Sequence, residues 1–113
     1  MTIIIDPQGS GISGNMIIGA LVDLGADEKK LKEVMEKSAN IVGEVTVNFD
    51  EVNKNGIDAM YCHVEMLDKK SNIHYNELVD AINNMNLDEN IKKTSLNIFK
   101  RIAIDLIINS IEL

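Results

Sequence analysis

The chain has 113 residues, 45% of them apolar, with a formal charge of −7, two Tyr, two Phe and no Trp. That is enough apolar side chain for one folded domain without disulfide staples, and residues 1–113 are read as that single domain. Acidity and scarce aromatic rings exclude a nucleic-acid partner, no stretch is long and apolar enough for a membrane span or signal peptide, and the lone Cys62 places the chain in the cytoplasm.

Thr2-Ile3-Ile4-Ile5 reads as a short buried strand ending at Asp6-Pro7. From Asn15 onward Met16, Ile17, Gly19, Ala20, Leu21 and Leu24 recur at helical spacing, and Gly25 is placed to stop the helix. Between them, Ser10-Gly11-Ile12-Ser13-Gly14-Asn15 forms a glycine loop. Strand, glycine loop and helix N-terminus together leave backbone N–H groups facing outward, an arrangement that favours anions. Asp6, Ser10, Gly11, Ser13, Gly14 and Asn15 are therefore the candidate ligand-binding residues. A second reading stands beside it: the glycines serve only a tight strand-to-helix turn. Asp6 has two readings as well, binding Mg²⁺ or orienting the loop, and accepting hydrogen bonds from the loop's own N–H groups.

Gly9 to Gly14 also satisfies G-x-G-x-x-G, but the context of a dinucleotide fold is missing. That fold needs a second parallel strand ending in an acidic residue about 20 positions on. Residues 27–38 instead read as another helix, capped by Asp27 and carrying Leu31, Val34 and Met35.

Gly43-Glu44 opens a second β region. Val45, Val47 and Phe49 alternate with Thr46, Asn48 and Asp50, Asn53-Lys54-Asn55-Gly56 signals a turn, and a return strand runs from about Ile57 to Leu67. This is an antiparallel hairpin, with Met60, Cys62, Val64 and Met66 on one face and Ala59, Tyr61, His63 and Glu65 on the other. After the polar connection Asp68–Asn72, a helix capped by Asn76 carries Leu78, Val79, Ile82 and Met85. Asp88-Glu89 then starts a long final helix. Its expected buried stripe is Ile91, Leu96, Ile98, Phe99, Ile102, Ala103, Leu106 and Ile107, widening toward Ile111. A helix apolar around most of its circumference needs cover on more than one side, from another chain or second copy, or from this chain's own sheet and helices. The fold class is α+β: a short N-terminal strand, glycine loop and two helices, an antiparallel hairpin, then two C-terminal helices on a small sheet.

Three sulfur atoms on one strand face (Met60, Cys62, Met66) suit Cu(I), but buried strand faces carry such residues routinely, and core packing is the expected role. His63 points away from Cys62, so the two make a poor nucleophilic pair, and His74 alone is no metal motif. Catalytic and metal-ligating residues are left unassigned.

Ile5-Asp6-Pro7-Gln8 leading to Ser10-Gly11-Ile12-Ser13-Gly14-Asn15-Met16, then Gly19-Ala20-Leu21-Val22-Asp23-Leu24-Gly25, resembles the opening of the LarC family of nickel-insertion proteins, once catalogued as a domain of unknown function. Their opening reads roughly D-x-x-[SA]-G-[IA]-S-G-D-M followed by G-A-L-x-D-L-G. Lys54-Asn55-Gly56-Ile57, Tyr75-Asn76-Glu77-Leu78 and Asn90 to Ala103 agree in order. Asn15 stands where that pattern has Asp, and one extra residue precedes Ser10. The resemblance implies a part or split subunit of a protein inserting Ni²⁺ into a bis-thiocarboxylated pyridinium mononucleotide, giving the nickel-pincer cofactor of lactate racemase. Nickel and CTP are implied by resemblance alone, and the family's CTP site belongs to a C-terminal domain outside the matching region. The implied partner is a chain carrying the remaining family domains, or a second copy. The alternative is a non-catalytic interaction domain that associates through its apolar C-terminal helix.

Overall fold

A β-hairpin is the centre of the fold, and the helices are arranged around it. The computed structural model describes residues 2–68 and 73–111, with the side chains of Ser110 and Ile111 outside that description. The connection at Lys69–Asn72, and the widening of the last helix at Ile111, therefore lie outside the described residues. Strands β1 (Val45–Lys54) and β2 (Ile57–Met66) pair antiparallel, Val47 opposite Val64 and Phe49 opposite Cys62. Their two-residue loop is Asn55-Gly56, with φ of 54° and 85°, the positive pair that a tight hairpin turn with right-handed twist requires. Asn53 holds it in place by accepting from the Gly56 N–H and donating to Asp58.

Helix α1 (Gly14–Asp23) packs on β2 and helix α2 (Glu28–Ala39) on β1. Two turn devices fix their junction. Gly25, at φ 108°, donates to the Val22 carbonyl while Ala26 donates to that of Leu21, the paired bonds that close a helix with a left-handed residue. The Asp27 carboxylate then accepts from the Lys30 N–H and starts α2. Val47 and Cys62 are the fully buried side chains of the core, supplemented by Val22 and Ile82.

Helix α3 (Tyr75–Asn83) begins with His74 as its N-cap rather than Asn76. The reason is Glu77, whose carboxylate accepts from the His74 N–H and so fixes the helix start further back along the chain. Helix α4 (Glu89–Ile111) starts where expected, with the Asp88 carboxylate accepting from the Asn90 N–H. An apolar cleft of about 430 Å³ remains between α2, the hairpin, α3 and the first half of α4, lined by Val34, Val47, Val64, Ile82, Met85 and Phe99 among others.

Two details of the expected architecture are corrected. Residues 2–7 carry no regular secondary structure, because a strand exists only by pairing and nothing among the described residues pairs with them. The apolar stripe of α4 is not buried: Ile98 is 55% exposed, Ile102 49% and Leu106 65%. Helix α3 packs closely on α4 and no other described element does, so this chain's own sheet does not supply the cover.

Candidate functional site

The glycine loop is built by two local turns. Asp6 accepts a hydrogen bond from the Gln8 N–H (3.1 Å), and the Pro7 carbonyl accepts from the Gly11 N–H (2.9 Å). Gly11 sits at φ 74°, a conformation costly for residues with a Cβ, so glycine is needed there for backbone reasons. Gly9 and Gly14 are different. A Cβ added at either would meet nothing within 4 Å, and neither has a positive φ.

Ser13 precedes α1 but does not cap it. Its hydroxyl donates instead to the Asn15 side-chain carbonyl (2.6 Å), and the Asn15 amide donates across the structure to the Cys62 carbonyl on β2 (3.3 Å). The first intrahelical bond runs from Ile17 to the Ser13 carbonyl. The N–H groups of Gly14, Asn15 and Met16 are left with no partner among the described residues, at the positive end of the helix dipole. By contrast, α2 has its cap in Asp27.

Of the six candidate residues, Ser13 and Asn15 are thus brought together. Asp6 is engaged with its own turn, as one of its two readings expects, and Ser10 is exposed and forms no hydrogen bond among the described residues. Sequence reasoning missed the Asn15–Cys62 link, which joins positions 47 apart and leaves no local signal. Asp6, Gly11 and Ile12 also border a cleft of about 250 Å³ between the N-terminal run and the outer face of α1, where Ile4 is 88% exposed.

Chemically, the loop offers N–H donors and short polar side chains but no cation. The first basic residue of the chain is Lys29, and Asp6 adds a carboxylate at the mouth. A single phosphate or carboxylate suits such a helix end. Among the described residues no three His, Cys, Asp or Glu side chains are grouped so as to hold a metal ion. Cys62 is buried, and burial pushes its thiol pKa up, which leaves it unreactive and in the packing role expected of it. Tyr61 and His63 have ring centres 6.0 Å apart on the opposite, open face of the hairpin. No helix among the described residues is long and apolar enough to cross a membrane.

Comparison with known proteins gives this geometry a context. The nickel insertion protein family matches residues 3–105, nearly the whole chain. The chain belongs to that family. It is 37% identical over 112 residues to a protein of Methanosphaera stadtmanae that carries the nickel-insertion name, an alignment covering 92% of this chain and 27% of that relative. A namesake in Methanothermobacter thermautotrophicus is 38% identical over 106 residues, 91% of this chain and 26% of its own length. One in Dictyoglomus thermophilum is 37% identical over 94 residues, 83% and 24%. This family member thus spans about a quarter of the length of the curated relatives it matches. No solved structure matches it.

Proposed function

We propose that this chain supplies the N-terminal portion of a cytoplasmic nickel insertion protein and works as one domain with polypeptide equivalent to the other three quarters of its relatives. The family match over residues 3–105 carries this reading. The reaction is insertion of Ni²⁺ into a bis-thiocarboxylated pyridinium mononucleotide, with nickel and nucleotide as substrates. Asp6, Ser10, Gly11, Ser13, Gly14 and Asn15 form the rim of a site for one anionic group. The unpartnered N–H groups of Gly14, Asn15 and Met16, with no Lys or Arg nearby in sequence, favour the single phosphate of a mononucleotide over the triphosphate of CTP. On this reading the CTP site lies elsewhere in the family's longer chain.

The test is a chimera in which this chain replaces the first quarter of the Methanosphaera stadtmanae relative. Nickel insertion is read by activation of apo lactate racemase. The chimera is expected to be active, and Gly11→Val to abolish activity while the fold stays cooperative. Normal activity of Gly11→Val would reduce the loop to a structural turn, and an inactive, folded chimera would refute the functional reading.

The exposed face of α4 supports a second reading, of a non-catalytic domain that associates with a partner or a second copy through Ile104 and Ile108, which are 45% and 48% exposed. Under that reading the chimera's activity is unaffected by the loop substitutions.

A further inference from the structure

The accessible surface of the chain is 9145 Å², where a compact monomer of 12.5 kDa exposes about 6,200 Å². Its radius of gyration is 16.5 Å, against about 13 Å for a compact domain of this length. The excess is near 3,000 Å² on one chain, several times the roughly 800 Å² that each partner contributes to a standard interface. A dimer contact of ordinary size does not account for it. Polypeptide several times the length of this chain does, and the relatives possess it.

Part of that surface lies beside the glycine loop. Ile3, Ile4 and Ile5 are 54%, 88% and 63% exposed, although three consecutive β-branched residues form the pattern of a strand buried on both faces. The same cleft continues onto Met16, Ile17 and Leu21 of α1, each at least 39% exposed. The hairpin does not take up the run. Because Leu67 donates to Glu44, alternation along the ladder turns the N–H and C=O groups of Val47 and Cys62 outward. At two of the outward positions side chains already take backbone groups: at Val47, Glu36 accepts from the N–H and Lys32 donates to the carbonyl, and at Cys62 the carbonyl accepts from Asn15.

We infer that Thr2–Ile5 is a strand whose partner is supplied by polypeptide equivalent to the relatives' remaining three quarters, docked on the N-terminal run and the outer face of α1. The inference rests on the functional reading above. Docking there covers the cleft bordered by Asp6, Gly11 and Ile12, and so places foreign groups at the rim of the loop, which has no cation of its own.

Hydrogen exchange read by mass spectrometry tests it, comparing the chain alone with the same chimera. In the chimera the amides of Ile3–Ile5 are expected to exchange at least about tenfold more slowly than in the free chain, and Ile4→Asp is expected to abolish that protection. Unchanged exchange at Ile3–Ile5 in an active chimera would overturn the docking and leave the functional reading standing. Slowed exchange in an inactive chimera would do the reverse. Protection in the free chain, accompanied by a dimer in light scattering, would overturn the inference in favour of a second copy. If the chimera does not fold, the same exchange measurement on the intact Methanosphaera stadtmanae relative decides, at the residues aligned with Ile3–Ile5.

Discussion

Substituting Gly19 by Ala probes how α1 is seated on the hairpin. A Cβ at this position would collide with the Met60 carbonyl oxygen, and would lie 3.3 Å from the Met60 carbonyl carbon and 3.4 Å from the Cys62 nitrogen. All three are backbone atoms, so no side chain can rotate away, and either α1 or β2 has to shift. Overpacking of this kind costs about 1–3 kcal/mol. Alanine's better helix propensity offsets up to about 1 kcal/mol of that. With the clash at the upper end of its range, the net loss is about 1–2 kcal/mol, or roughly 4–8 °C in Tm for a chain of this size. Gly14→Ala is the control, because a Cβ there meets nothing within 4 Å. It is expected to be neutral or to stabilise by up to about 1 kcal/mol. Urea unfolding followed by circular dichroism at 222 nm separates the two. Equal stability of Gly19→Ala and Gly14→Ala would refute the close seating of α1 on β2, and with it the geometry that lets Asn15 reach Cys62.

Glu36 accepts from the Val47 N–H beside Lys32, which holds its pKa below the ordinary value of 4.5. Its contribution is therefore complete above the unfolded value and lost as pH falls through the lower folded one. Glu36→Gln, which keeps an acceptor but does not titrate, is expected to flatten the urea midpoint's fall below about pH 4.5; an unchanged acid limb would contradict this. Asn15→Asp cannot donate to the Cys62 carbonyl and is expected to cost about 1 kcal/mol, while faster exchange of the first α1 amides marks a loosened loop. Gly11→Ala carries left-handed strain of about 1–2 kcal/mol, and Gly11→Asn, which tolerates that conformation, is expected to cost less in the same melts. Ile104→Glu lies on an exposed face and is expected to leave stability within about 0.5 kcal/mol, while abolishing any concentration-dependent sedimentation of the parent chain. A parent chain that sediments as a monomer at every concentration would remove α4 as a self-association surface.

Features written in local chemistry were legible in the sequence. The hairpin followed from the alternation of Val45, Val47 and Phe49 and from Asn55-Gly56, whose positive φ values are those the turn requires. Asp27 and Asp88 marked helix starts, and Gly25 marked a stop. The start of α3 was misplaced because His74 is a weak cap by type, and Glu77 decides the matter through its reach back to the His74 N–H. Burial was harder to read. Three isoleucines in a row, and a helix crowded with Ile and Leu, say that cover is needed without saying which polypeptide provides it. The loop's glycines were recognised as a group, yet Gly11 alone has a backbone need for glycine.

If all its glycines served backbone geometry, the loop would need no ligand to explain its composition. Gly14 opens α1 with no steric or conformational demand for glycine, and a methyl group there would enter open space. A bare helix end, with Ser13 bonded to Asn15 instead of capping, is less stable than a capped one by about 1 kcal/mol. Among the described helices, the loop forgoes that stabilisation at the one start that also lacks an acidic residue in its first turn, whereas Glu28, Glu77 and Glu89 occupy the first turns of the other three. The anion proposed for this loop would take the position that those first-turn carboxylates hold at the other three helix starts.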